Sequence, residues 1–390
     1  MLNENFIKKI SERNKEPKWL LDNRLDSFSK FKSLDKVEHI KHGLNILLKF
    51  NFDLERINSF DLGSKIIERN NDNIVVMDIN KAVLEYSELI KENMFSTFNE
   101  EEKDKYFIEL HRALFSSGVF IYVKKGFKIQ LPIFENIVSS NKFSYNLIVV
   151  EDDSELTFIE DLKSKVNEYN SSVTEIIVGK NSEVNYCSMN NSTNGHNFNI
   201  VRSKVKENGN INFFSGLLGS GFNKTEVSSF LEGNNSRSNN VGMFFGDKEK
   251  QFDIYARSFH VGKNTKSNMF TKGIVKDKSK SVYRGLVHVS EDAIGTDGYQ
   301  KEDILILNDE AEADSIPELE INNDDVKCSH GASISNVDKE KLFYLQSRGV
   351  NEEEGKKLIV DGFFYPLLRE IKSDFIKQKF AKDFEKFLKK

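Results

Sequence analysis

The sequence predicts a mainly β fold, with a β-solenoid at the centre and helical regions on either side. Polar turns recur at an almost constant spacing through the middle of the chain, and the residues between them alternate as they do in strands. Helical spacing of apolar residues is largely confined to the two ends. Fixed-period repetition is typical of stacked architectures, in which each unit buries its apolar face only against its neighbours.

The repeat is marked by polar turns, rich in Gly, Asn and Asp, that follow an aliphatic residue. In chain order these turns follow Val123, Val150, Val178, Val205, Leu231, Val261, Val275 and Val289. Steps of 26 to 28 residues separate the first five markers, and steps of 14 separate the last three. A unit that halves in this way indicates two strand–turn steps per repeat. Strand alternation, as in Ser281–Val289, favours a parallel β-helix over helical repeats of similar length.

Residues 1–117 are predicted to form a mainly helical N-terminal region. Pro17 suits the first turn of a helix, where its missing N–H costs nothing, and apolar residues then recur at helical spacing. A short β-rich run interrupts at Ile74–Met77, and Asn80 is a candidate cap for the helix that follows. The solenoid core is predicted to occupy residues 118–325.

Residues 326–390 are predicted to form a C-terminal helical region. Asp338 is a candidate helix cap, and Asn351 with Glu354 resembles a capping box. We expect the helical regions at both ends of the chain to cover the open ends of the solenoid. The tail places an apolar stripe on one face, which either packs against the core or docks a partner: Ile376, Phe380, Phe384 and Phe387.

Composition favours a soluble cytoplasmic protein. The chain has 390 residues, a formal net charge of -5 and 30% charged residues of both signs, unlike a nucleic-acid binder. Two cysteines, Cys187 and Cys328, exclude a disulfide framework and a four-cysteine metal site, and suit a reducing compartment. No signal-peptide core and no apolar run long enough to span a membrane occur.

The usual catalytic motifs are absent from the sequence, so we expect no catalytic residues. It contains no Gly-x4-Gly-Lys-Ser/Thr phosphate-binding loop, no Gly-x-Ser-x-Gly elbow and no His-Glu-x-x-His motif. His260 and His288 each precede a turn, which predicts that they stack in the solenoid core. Two alternatives stay open: a carbohydrate-active β-helix enzyme, which would need clustered acids along a groove, and a purely structural solenoid.

Cys328 and His330 form the most informative pair in the sequence. Residues two apart on a strand project from the same face, so the two side chains could bind one metal ion. Thiolate sulfur and imidazole nitrogen together suit iron or zinc. Two ligands do not complete a site, so further ligands would come from a second subunit. A metal-bound imidazole would need a hydrogen-bond partner for its second nitrogen, for which Asp324 and Asp325 are the candidates. The alternative is a small buried thiol beside a hydrogen-bonded histidine.

At this segment the sequence resembles the SufB/SufD family, the scaffold proteins of the SUF iron–sulfur cluster assembly machinery. Asp325–Ser333 and Leu342–Val350 resemble the family's C-terminal signature. Four other segments resemble further family motifs: Glu16–Leu21, Gly118–Val123, His260–Thr265 and Tyr283–Val287. The resemblance implies a right-handed parallel β-helix between helical N- and C-terminal regions.

The departures from the family pattern bear on which member this is. Where SufB-type scaffolds carry a sulfur-accepting cysteine the chain has Ser229, and where they carry a second cysteine it has Ala311. The Cys-Ser-His-Gly segment is the SufD form of the C-terminal motif, and its assembly histidine corresponds to His330. The resemblance therefore favours a SufD-like subunit, with a SufB-type homodimer as the alternative.

The resemblance also implies partners and cargo. The C-terminal helices would bind the SufC ATPase, and the edge of the β-helix would bind a SufB-type paralogue or a second copy. An iron–sulfur cluster would be held transiently at His330, with Cys328 as a weaker candidate ligand. A flavin is compatible with the family, but nothing in the sequence supports one.

Overall fold

The computed structural model describes residues 2–42, 46–49, 69–70, 72–99, 102–129, 133–139, 142–164, 168–190, 195–219, 221–371, 374, 376–378 and 381–382. Before the solenoid, the described residues form helices and a short antiparallel strand pair: α1 (Glu4–Asn14), α2 (Lys18–Ser33), β1 (His39–Lys41), β2 (Leu47–Lys49), α3 (Ile79–Glu85), α4 (Ser87–Asn93) and α5 (Lys105–Leu114). Asp78 caps α3 by accepting a hydrogen bond from the Asn80 N–H at 2.8 Å, so the predicted cap at Asn80 is wrong.

The centre of the chain is a parallel β-solenoid of about seven turns, which confirms the predicted fold class. One sheet contains β6 (Ile133–Ser139), β8 (Glu155–Ser164), β10 (Glu183–Asn190), β12 (Asn210–Leu217), β14 (Arg237–Gly246), β16 (Lys266–Val275), β18 (Asp297–Ile306) and β20 (Lys327–Asn336). The other contains β3 (Arg69–Asn70), β4 (Ile74–Asp78), β5 (Val119–Val123), β7 (Lys142–Val150), β9 (Glu168–Val178), β11 (Gly195–Val205), β13 (Phe222–Leu231), β15 (Gln251–His260), β17 (Lys280–Val289) and β19 (Glu312–Ile321).

We call these the even sheet and the odd sheet. From β5 onwards, successive strands of the chain alternate between them, so each turn of the solenoid adds one strand to each sheet. Within the two sheets, the described strands that pair antiparallel are β3, β4 and β5, at the N-terminal end of the odd sheet. The even sheet ends at β20, which carries the Cys-Ser-His-Gly segment.

The turns between strands explain the period read from the sequence. Asn181, Asn208, Asn235 and Asn264 each adopt a positive φ, between 54° and 60°, which asparagine tolerates better than most residues. Their side chains form a ladder from turn to turn: the Asn208 amide donates to Asn181 at 3.0 Å, and Asn235 donates to Asn208 at 3.2 Å. The sequence period is therefore the spacing of one stacked turn.

The helical regions pack against the flanks of the solenoid. The N-terminal helices cover the outer face of the odd sheet, where the Phe107 ring stacks on Phe198 at 4.3 Å. Arg202 on this face forms buried ion pairs with Glu102 at 2.6 Å and Glu226 at 2.7 Å. Inside the solenoid, the inward side chains of both sheets form separate apolar clusters.

The C-terminal region contains α6 (Lys339–Ser347) and α7 (Glu352–Glu370), whose predicted caps at Asp338 and Asn351 are both confirmed. Helix α7 packs against the outer face of the even sheet, and its Phe364 is 2% exposed. Pro366 lies inside α7, and Lys272 of the even sheet donates to the Phe363 carbonyl at 2.8 Å.

The prediction that helices cover both open ends is wrong at the C-terminal end. Side chains along β19 and β20 are partly or fully exposed, including Ile334 at 42%. The reason lies in the even sheet, whose outward residues include Phe214, Met243 and Phe245. Burial of this apolar surface stabilises α7 on the flank of the solenoid.

The structure describes only one residue of the apolar stripe predicted in the tail. Ile376 is 3% exposed and joins the cluster beneath α7, whereas Phe380, Phe384 and Phe387 lie outside the described residues. Every residue of α6 is at least partly exposed, with Phe343 at 72% and Tyr344 at 58%. Within the described part of the chain, no helix is both long enough and apolar enough to cross a membrane.

Candidate metal centre

Cys328 and His330 lie on β20, the last and uncovered strand of the even sheet. Parallel pairing places Cys328 beside Gly298 and His330 beside Gln300 of β18. Because side chains alternate along a strand, both belong to the face that lines the interior of the solenoid. The structure therefore places the two predicted ligands on one face, at the open C-terminal mouth.

The Cys328 thiol is partly buried and turned back over β18. Its Sγ lies 3.3 Å from the position that a Cβ on Gly298 would occupy, so a larger residue at position 298 would crowd the thiol. Burial raises the pKa of this thiol, although a hydrogen bond with the Gly298 backbone lowers it. The group is therefore a thiol rather than a thiolate at neutral pH, and binding a metal ion would require it to lose its proton.

His330 is the exposed member of the pair. Within the part of the chain that the structure describes, its imidazole forms no hydrogen bond, so neither Asp324 nor Asp325 orients it. An exposed imidazole can bind a metal ion on a surface that a second subunit would cover. Of the two predicted ligands, His330 is the one open to a partner.

His260 and His288 have structural environments. His260 is fully buried: its Nδ1 lies 2.8 Å from the Thr265 hydroxyl and its Nε2 lies 2.8 Å from the Ser267 hydroxyl. Burial lowers the pKa of His260 to about 3, so this side chain is neutral at physiological pH. The predicted stacking of His260 with His288 is wrong, because the strand register places His288 beside Phe259 on the outer face.

The positions that correspond to SufB-type cysteines hold no thiol. Ser229 lies inside the solenoid, and its hydroxyl donates to the Ser258 hydroxyl at 3.3 Å. Ala311 is buried in the turn before β19. Cys187 is 1% exposed on the outer face of the even sheet, in the cluster beneath α7.

Sequence reasoning missed a polar row behind the candidate ligands. Gln300 and Glu302 of β18 both face the interior and are both 2% exposed. Burial raises the pKa of the Glu302 carboxyl to about 8, although the Ser315 hydroxyl lowers it. Strand alternation in the sequence could have predicted this row, because residues 298, 300 and 302 of β18 share a face with Cys328 and His330.

The described residues contain no group of three histidine, cysteine or acidic side chains close enough together to hold a metal ion. The mouth of the solenoid thus offers an incomplete set of ligands, open on the side where a second subunit would bind. Such a set can take part in metal binding only when other groups complete it.

Comparison with known proteins assigns the family. Residues 135–363 match the model of the SufBD core domain, described as SUF system FeS cluster assembly. An iron–sulfur cluster assembly SufBD family protein of Staphylococcus saprophyticus is 31% identical, over 96% of this chain and 90% of that protein. Family members from Staphylococcus haemolyticus and Staphylococcus epidermidis are each 30% identical over the same shares. The chain therefore belongs to the SufBD family of iron–sulfur cluster assembly proteins.

Proposed function

We propose that this chain is a SufD-like, non-catalytic scaffold subunit, on which an iron–sulfur cluster is assembled in the cytoplasm together with a SufB-type subunit and the SufC ATPase. The observation that carries the proposal is the position of the Cys-Ser-His-Gly segment. It lies on the last strand of the solenoid, with the His330 imidazole exposed at the uncovered end. The cluster is cargo that is built at this end and passed on.

The backbone of β20 supports partner binding at this end. The Lys327 N–H donates to the Thr296 carbonyl at 2.8 Å, so the backbone N–H and C=O groups of the odd-numbered residues of β20 point towards β18. The N–H and C=O groups of Cys328, His330, Ala332 and Ile334 therefore face outward along a free edge. An unprotected edge of this kind pairs readily with a strand of another chain.

The neighbouring strand β19 is less suited to pairing. The Glu312 N–H donates to the Ser279 carbonyl at 3.1 Å, which directs the backbone of the odd-numbered residues of β19 to the free edge. Pro317 is one of these residues and has no N–H to donate. We infer that β20 forms the main contact with the partner.

Charge favours a different partner over a second copy. The outer face of β19 carries only acidic charges, at Glu312, Asp314, Glu318 and Glu320. A two-fold homodimer that apposed two β19 strands would bring these carboxylates together. A paralogue with basic or neutral residues on the facing strand avoids that repulsion. The lack of a thiol at Ser229 and Ala311 likewise supports the SufD-like assignment.

The C-terminal helices provide a surface for the ATPase. The chain lacks a phosphate-binding loop, so nucleotide hydrolysis must come from another subunit. Phe343 and Tyr344 of α6 are 72% and 58% exposed, and with Tyr365 of α7 they are the most exposed aromatic side chains of the described residues. Exposed aromatic residues are typical anchors of protein interfaces.

Co-purification tests the proposal. The chain is expressed anaerobically with a SufC-type ATPase and a SufB-type paralogue, and the purified material is assayed for subunit composition, iron and acid-labile sulfide. We expect a complex of all three that holds both elements. A stable homodimer of this chain that carries iron and sulfide without the paralogue would instead establish the SufB-type alternative. Failure to bind either partner would refute the proposal.

A further inference from the structure

Four polar side chains lie just inside the C-terminal mouth, and each has a buried oxygen that makes no well-formed hydrogen bond. Within the described residues, no well-formed hydrogen bond is found for either carboxylate oxygen of Glu302, for Gln300 Oε1, for the Tyr283 hydroxyl or for the Ser315 hydroxyl, although the Ser315 hydroxyl lies near enough to Glu302 to lower the pKa of its carboxyl. All four residues face the interior in the last two turns of the solenoid. A buried carboxylate without partners is costly, so this cluster needs an explanation.

Glu302 differs in this respect from the other buried acids of the solenoid. Glu175 accepts hydrogen bonds from the Thr97 N–H at 2.9 Å and from the Thr97 hydroxyl at 2.7 Å. Glu160 accepts one from the Ser172 hydroxyl at 3.0 Å and another from the Tyr186 hydroxyl. The fold therefore provides well-formed hydrogen bonds for these buried carboxylates, whereas Glu302 has the Ser315 hydroxyl near it without such a bond.

The geometry gathers these atoms into one place. A Cβ on Gly285 would lie 2.1 Å from Gln300 Oε1 and 3.1 Å from Cε1 of the Tyr283 ring, so the two side chains meet in the space that this glycine leaves. Gln300 Nε2 donates to the Glu318 carbonyl at 3.0 Å, which fixes the orientation of the amide. The Glu302 charge and burial both raise the pKa of Tyr283, with burial the larger cause.

His330 lies directly above this cluster. Its strand neighbour is Gln300, and the neighbour of Glu302 is the small residue Ala332. On the shared inner face, His330 and Glu302 are diagonal neighbours, a separation that two long side chains can bridge. Cys328 lies two positions further from Glu302, above Gly298. The imidazole is therefore better placed than the thiol to share a ligand with Glu302.

We propose that Glu302 and Gln300 supply oxygen ligands for a divalent cation beneath His330, whose imidazole is the third ligand. A carboxylate, an amide oxygen and an imidazole form a donor set that suits manganese or ferrous iron better than a thiolate-only site does. The identification of the natural ion as ferrous iron rests on the proposed function. On that basis, the site holds iron at the mouth before the partner subunit completes the cluster.

Binding of Mn²⁺ to the full chain, followed by electron paramagnetic resonance and calorimetry, tests the site without any assembly reaction. Glu302→Gln keeps the shape but removes the carboxyl that must lose its proton to bind the ion, and we expect it to weaken Mn²⁺ binding by roughly 10–100-fold. Glu318→Gln, on the outer face of β19 in the same turn, is the matched control and should bind as the wild type does. Cys328→Ser should also bind normally, and His330→Ala should bind more weakly.

The outcomes separate this inference from the proposed function. Wild-type affinity in Glu302→Gln, or no binding to the wild-type chain at millimolar Mn²⁺, overturns the site. If Glu302→Gln leaves Mn²⁺ binding unchanged but abolishes association with the paralogue, the cluster instead receives a basic side chain of the partner. If His330→Ala loses cluster assembly while Glu302→Gln binds Mn²⁺ normally, the proposed function stands and the cation site falls.

Discussion

Two phenylalanines of the C-terminal helices should respond to alanine substitution in opposite ways. Phe364 of α7 is 2% exposed, in a cluster with Phe214, Met243 and Phe245 of the even sheet. Phe343 of α6 is 72% exposed. The first is a packing residue by its burial, and the second is a candidate contact for the ATPase.

The magnitudes follow from burial. Phe364→Ala leaves a cavity beneath α7, and truncations of this kind cost about 3–5 kcal/mol of the free energy of unfolding. Phe343→Ala removes a side chain that already lies mostly in water, so its effect on stability should stay within about 0.5 kcal/mol. If Phe343 anchors the ATPase, its loss should cost about 2 kcal/mol of binding, which is roughly a 30-fold increase in Kd.

Urea denaturation and titration calorimetry with a SufC-type ATPase measure the two effects separately. Unchanged affinity in Phe343→Ala, with Tyr344→Ala equally silent, would move the ATPase interface away from α6. A large loss of stability in Phe343→Ala would show that this ring packs against the rest of the chain in solution. Deletion of residues 351–390 is a poorer test, because it removes α7 and uncovers the apolar outer face of the even sheet.

Two further predictions concern the solenoid itself. Asn208→Ala should lower the free energy of unfolding by about 2 kcal/mol and Asn208→Gly by about 1 kcal/mol, measured by thermal or urea denaturation. Both substitutions lose the amide ladder, but only alanine resists the positive φ. Equal losses would show that the positive φ does not contribute to the difference. His111 is buried against Ser171, and burial, aided by Arg24 and Arg112, lowers its pKa to about 3. The contribution of neutral His111 to stability is therefore complete above the unfolded pKa of about 6.5. It is lost as the pH falls towards 3, by at most about 1.4 kcal/mol per pH unit. The unfolding free energy of His111→Phe should therefore depend less steeply on pH in this range than that of the wild type.

The fold could be read from the sequence because its period has a local cause. Each asparagine in the turn ladder must meet the same backbone and neighbour requirements as the one before it, so the pattern Asn181, Asn208, Asn235 is written directly into the chain. The helix caps at Asp338 and Asn351 are local in the same sense, because a cap depends on side chains within three residues.

What the sequence could not show depends on contacts between distant residues. The position of α7 on the flank, rather than over the end, follows from the outward apolar residues of the even sheet, which periodicity does not distinguish from inward ones. The separation of His260 from His288 depends on a one-residue offset in register between β15 and β17. At the mouth, the shared face of Cys328 and His330 was predictable from alternation, whereas the lack of partners for Glu302 required the packed interior.

Substitution of His330 tests the central claim most directly. In the complex with the paralogue and the ATPase, His330→Ala is compared with His288→Ala, which removes an imidazole on the outer face of β17, 3.3 Å from Glu320. We expect both complexes to assemble with unchanged thermal stability, and the iron and acid-labile sulfide of His330→Ala to fall roughly tenfold or more. Cys328→Ser should lose less, and His288→Ala should match the wild type. Normal iron and sulfide in a well-folded His330→Ala complex would contradict the account.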